Sequence, residues 1–349
     1  MRSTSDTRLE WVDAGKGISI LLVVLYHSTE WLAAARIDLA GLTVMNAILA
    51  DLRMPVFFFL AGLFARSWIG RSWSDLLRFK LAALAWVYLL WSVIELPTKW
   101  LAAAAFTTKV EEEFIIRQVA VIALIPFRTS GSIWFIWALV VFFVLAKLTA
   151  TWPLWLQLAA ASAAALATRA LPEEINEQLV ALTGLGYRGA LLYYLFFLLG
   201  AYFRDPAQQW AARTGPAAAV GIVAAWIALR VGAEAAGIAE QAVASFLLAA
   251  GGMVAGVALA VSLQHVHLLR YLGTRTLPIY LAHSPVIIVL AAVLSLGPAL
   301  PTSAASTLAA AVAAVAVVLP LLLHARSHGV LRYLYAAPPA WKRRTAHIL

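Results

Sequence analysis

Ten apolar runs separated by short polar stretches pattern this chain, at about residues 17–35, 44–65, 81–97, 132–150, 153–171, 189–203, 215–232, 242–263, 277–297 and 303–324. Each approaches the roughly 17–25 residues that a helix needs to cross a bilayer's hydrocarbon core, the sixth being the shortest. The pattern predicts an all-α, polytopic membrane helix bundle of about ten transmembrane helices. It divides into an N-terminal segment (1–16), a transmembrane domain (17–325) and a basic tail (326–349). Residues 97–131 are too mixed to span as one piece, and Phe114 to Phe127 read as an interfacial or re-entrant helix. Gly252 and Gly256, one turn apart in the eighth run, are spaced to let two helices approach closely.

Composition agrees with that solvent. With 63% hydrophobic and 12% charged residues and a mean hydropathy of +0.86, the chain is excluded from the soluble globular class. It has no cysteine, which removes disulfides, thiolate metal sites and a cysteine nucleophile. The net charge of +9 sits in short clusters between apolar runs, as in cytoplasmic loops, and not on a nucleic-acid-binding face. With the N-terminus inside, seventeen lysines and arginines fall on the cytoplasmic side and eight on the other. Both termini are therefore expected in the cytoplasm, with the protein multi-pass in the cytoplasmic membrane. His27 and Glu30 within the first run argue against a cleaved secretory signal.

The polar residues inside these runs are the candidates for chemistry. Lys16 and His27 are eleven residues apart, so both lie on one helix face about 16 Å apart along the axis. With Lys16 at one surface, His27 reaches the middle of the bilayer, where an ionisable group is expensive and marks a functional site. Glu30, three residues on, is within reach to fix the tautomer of His27, as a general base requires. The plainer reading is a packing histidine and a glutamate at the far interface. In the second run, Asp51 and Arg53 precede Pro55, which frees a backbone carbonyl; the alternative for both charges is snorkelling to the outer surface.

Arg66, Arg71, Arg78 and Lys80 form a cluster able to hold phosphates, or simply to satisfy the orientation rule. Tyr280 and His283, in a run flanked by Pro278 and Pro285, are a plausible cavity wall. Trp134, opening the fourth run, is either an interfacial anchor or a substrate contact. His265 and His267 are poorly spaced for a metal, and no metal site is expected.

Residues 8–18 (RLEWVDAGKGI), running into Val23-Val24-Leu25-Tyr26-His27-Ser28, resemble the opening of the acyltransferase-3 family of integral membrane acyltransferases. The blocks 53–62 (RMPVFFFLAG), 133–139 (IWFIWAL) and 272–283 (LGTRTLPIYLAH) resemble it in the same order. The family pattern usually places arginine where Lys16 stands; lysine keeps the charge and loses the bidentate fork. No Gly-Asp-Ser block is present, so a stand-alone membrane domain without an esterase-like extension is expected.

The resemblance implies transfer of an acyl group, most often acetyl, from cytoplasmic acyl-CoA as co-substrate, with no permanently bound cofactor. The acceptor would be a hydroxyl of an envelope glycan, lipid-linked sugar or small molecule. It casts His27 and Glu30 as catalytic, and Lys16, Arg66, Arg71, Arg78 and Lys80 as donor-binding. Arg53, Trp134, Tyr280 and His283 then support the acceptor or the transition state. The competing reading is a secondary transporter using His27, Glu30, Asp51, Arg53 and His283 as a pathway, which predicts internal symmetry that the sequence does not show.

Overall fold

The computed structural model describes residues 9–106, 124, 127, 129, 131–297, 302–339 and 341, and among them every regular element is helical. The helix expected at 114–127 lies outside the described residues, save Leu124 and Phe127. The helices are α1 (Glu10–Ala34), α2 (Ala40–Gly62), α3 (Trp73–Phe106), α4 (Trp134–Leu148), α5 (Leu154–Arg169), α6 (Glu173–Thr183), α7 (Leu185–Tyr202), α8 (Arg204–Arg213), α9 (Pro216–Ala235), α10 (Ala242–Ser262), α11 (His267–Gly273), α12 (Thr276–Leu294) and α13 (Thr302–Ala325).

Each predicted run carries a helix. Seven of them, α1, α2, α3, α9, α10, α12 and α13, are long and apolar enough to cross a bilayer, and α5 with α6, bent by 109°, makes an eighth if the pair is one span. The other two fall short for visible reasons: α4 has 15 residues, and the 18 residues of α7 are diluted by Arg188 and tyrosines.

α1 is the spine, packing on α2, α10, α11, α12 and α13. It begins at Glu10 and not near residue 17, because Trp11 and Val12 are already buried; Lys16 thus lies in its second turn. Glu10 and Asp13 suit the positive end of the helix dipole, and Glu10 pairs with Arg270 of α11. At the other end Arg36 takes a left-handed backbone (φ 63°). Ile37 N–H then donates to Leu32 O and Arg36 N–H to Ala33 O, with buried Ile37 against buried Leu32, a Schellman stop.

Close backbone approach fixes two contacts that place the site. Pro55 deprives the Asp51 carbonyl of its helical donor, and that carbonyl faces Gly252 of α10, where a methyl would stand 2.3 Å from the oxygen. Gly256 takes the Val56 side chain one turn on, as the glycine spacing predicts. α1 meets α11 through Gly17, against the Leu269 carbonyl, and Gly273, against the Asp13 carbonyl. The prolines of α12 do not interrupt it: Pro278 sits in the first turn and the helix continues through Pro285.

Gly273→Ala, which puts a methyl 1.7 Å from the Asp13 oxygen, is expected to destabilise the protein by about 1–3 kcal/mol. Gly221→Ala, which meets nothing within 4 Å, is not. Unfolding temperatures in detergent check both, and equal melting of the two variants would contradict the packing.

Candidate functional site

A cavity of about 480 Å³ lies between α1, α2, residues 131–135, α7 and α12, and its lining reaches from Val23 to Ala34 near the end of α1. His27 and Glu30 share one face of α1, as their spacing predicts, and Nδ1 of His27 lies 3.2 Å from Oε2 of Glu30. A carboxylate only accepts, so Nδ1 carries the proton and Nε2 is left with a lone pair. Glu30 also accepts from the Tyr26 hydroxyl, which leaves its carboxylate doubly engaged.

Arg53 enters the same cavity from α2. It is 6% exposed, so it does not snorkel, and its guanidinium lies over the Tyr26 ring at 4.2 Å. Its Nη1 is buried with no hydrogen-bond partner. Asp51, in contrast, turns away from the cavity to Arg230 of α9 at 3.1 Å. The two charges point differently because residues two apart face different sides of a helix.

The opposite wall is braced by a network rooted in Glu95 of α3. This carboxylate is 2% exposed, and Pro97 just after it marks a turn in the helix. Ser132 Oγ donates to Glu95 at 2.8 Å, and Lys99 stands 3.6 Å from it. The Tyr280 hydroxyl donates to Ser132 O at 2.6 Å and accepts from Phe135 N–H at 3.1 Å. Its only proton is thus spent on the backbone, so Tyr280 shapes the wall and offers no free donor. Thr129 ties the same segment to α7, accepting from Gly186 N–H at 2.8 Å, and Trp134 packs against Gly189.

His283 is wholly buried and is not part of the lining; it stands behind His27 with ring centroids 5.2 Å apart. Its Nδ1 lies 2.7 Å from the Tyr280 carbonyl, which makes that nitrogen the donor. His283, expected from the sequence to support an acceptor, thus has no face on the cavity and backs the His27 ring.

The basic residues gather at the other end of α1. Lys16 Nζ lies 4.9 Å from the Phe64 ring, and Arg204, from α8, lies 5.1 Å from the same ring. Arg66 and Arg204 line a second cavity of about 270 Å³ with Phe64 and Tyr202, and Lys80 is within electrostatic reach of Lys16. Arg71 rests on Trp68 and Arg78 against Phe79; neither lines that cavity.

The structure thus brings together His27, Glu30, Arg53, Trp134 and Tyr280 in one cavity, and Lys16, Arg66 and Lys80 in a separate region. Sequence reasoning missed Glu95, Arg188, Tyr193 and Arg204. Glu95 was visible as a carboxylate inside the third apolar run, and Arg188 as a charge at the edge of the sixth.

No curated protein and no solved structure matches the chain. The family model described as an acyltransferase domain, of the acyltransferase-3 type, matches residues 9–324. That span takes in every residue that lines the larger cavity and every residue of the basic region, and the chain belongs to this family of membrane acyltransferases.

Proposed function

We propose that the protein moves an acyl group, acetyl in the first instance, from acyl-CoA on the cytoplasmic side to a hydroxyl of an envelope glycan, lipid-linked sugar or small molecule, at the cytoplasmic membrane. One observation carries this reading: an imidazole whose Nδ1 is held by a carboxylate at 3.2 Å lines a largely apolar cavity together with Arg53, while cations cluster at the opposite end of the same helix. The attacking hydroxyl gives its proton to His27 Nε2 as its oxygen bonds to the thioester carbon. The carbon–sulfur bond then breaks, and the leaving thiolate takes the proton back from the imidazolium.

Negative charge on the thioester oxygen needs a donor aimed at it, and Arg53, with Nη1 unpartnered, supplies one where Tyr280 does not. Lys16, Arg66, Lys80 and Arg204 hold the phosphates of the donor. Arg71 and Arg78, further out, steer it.

His27→Ala is expected to lower kcat by roughly 10²–10⁴-fold with the fold intact, and wild-type turnover by the purified variant would remove the base. Lys16→Ala is expected to raise KM for acyl-CoA about tenfold at nearly constant kcat; an unchanged KM in the Lys16→Ala, Arg66→Ala double variant would remove the donor site. Tyr280→Phe, which deletes two hydrogen bonds of the cavity wall, is expected to cost about 1–3 kcal/mol of stability. It should affect kcat far less than His27→Ala, and comparing melting with single-turnover rates separates the two roles.

A further inference from the structure

Two guanidiniums line the outer cavity, and the chemistry above uses one. Arg188, in the first turns of α7, is the other. Its Nε is shielded from solvent and has no hydrogen-bond partner among the described residues. Arg169 of α5 stands nearby, since Arg53, Arg169, Arg188 and Asp51 all lie within electrostatic reach of the Tyr193 side chain. Among the described residues three cations therefore surround this wall; of the carboxylates within their reach, Asp51 is already paired with Arg230 at 3.1 Å, and Glu30 stands within electrostatic reach of Arg53. Glu30, the acidic group of the cavity itself, is engaged by His27 and Tyr26.

Positive charge that no carboxylate balances is costly in a medium of low dielectric, and a bound anion is the way such a site relieves it. Around the two guanidiniums stand Trp31, Trp134 and Tyr193, flat apolar surfaces with polar edges suited to the ring face of a sugar. We propose that the acceptor is an anionic sugar whose carboxylate or phosphate is gripped by Arg188, beside Arg53, while its hydroxyl is presented to His27. The inference rests on the acyl-transfer reading for the role of His27, and it adds the acceptor's charge and the residue that selects it.

The test separates binding from turnover. Protein carrying His27→Ala, in detergent, is titrated with methyl glucuronide, glucose 1-phosphate and the uncharged methyl glucoside, read by fluorescence of the cavity tryptophans. At least one anionic sugar is expected to bind about tenfold or more tightly than the neutral one, and the better of the two tells carboxylate from phosphate. Arg188→Gln on the same background should abolish the preference, and Arg188→Lys should keep part of it, which shows that charge and not misfolding is responsible. Equal affinities for charged and neutral sugars, or a preference that survives Arg188→Gln, overturn the proposal. So does a rise in KM for succinyl-CoA but not acetyl-CoA in Arg188→Gln, because the arginine would then serve a dicarboxylic donor. Failure of acyl-CoA turnover with every acceptor removes the reading beneath, while the titration still decides whether the cavity selects an anion.

Discussion

Holding ionisable side chains at depth in a hydrocarbon-facing bundle is the constraint from which the rest of this structure follows. A charge moved there without a partner is disfavoured by several kcal/mol, so each such group must be satisfied by the protein, hydrated in a cavity or matched to a ligand. The bundle uses all three solutions within a few turns. Glu95 is satisfied by Ser132 and Lys99; His27 and Glu30 pair at the edge of a cavity; among the described residues no carboxylate forms an ion pair with Arg53 or Arg188, which line that cavity. The differences among these groups distinguish scaffold from site. A satisfied carboxylate fixes the wall, and an unsatisfied guanidinium waits for something to bind.

α1 converts that local chemistry into a directional device. Because its face repeats about every eleven residues, one rigid element presents a cation at one end and a carboxylate-paired imidazole in the other half. The elements packed on it then specialise accordingly. α2 and α7 bring aromatic rings and arginines to the cavity, while the short α11 clamps the first turns of α1 through Gly17 and Gly273. The carbonyl freed by Pro55 is covered by Gly252, so the helix that carries Arg53 continues through its proline without a break.

The parts of this arrangement legible in the sequence are those set by periodicity and local spacing. His27 with Glu30, the ten helical runs and the close-packing spacing of Gly252 and Gly256 are of that kind, because each depends on residues along a single helix. What spacing does not reveal is which faces meet. Tyr280 looks like a free donor until α4 is brought against it and the Ser132 carbonyl takes its proton. His283 looks like a lining residue until packing places it behind His27. Arg71 and Arg78 read as members of the basic cluster from their proximity in the chain, whereas Arg204, over a hundred positions away, is the one that shares the Phe64 ring with Lys16.

The two halves of the site are not continuous, and this bears on how the reaction must proceed. The floor of the outer cavity is Val23. Between it and Lys16 run about 10 Å of helix whose Ser19, Ile20 and neighbouring Val24 are buried. The hydroxyl of Ser19 has no hydrogen-bond partner there, an unusual sacrifice in a close-packed layer. A layer of this kind keeps water and ions from crossing. On the acyl-transfer reading the donor's slender thioester arm has to displace it, and the arm's amides would meet Ser19 on the way. On that reading, donor binding at the basic end has to be accompanied by opening of the layer.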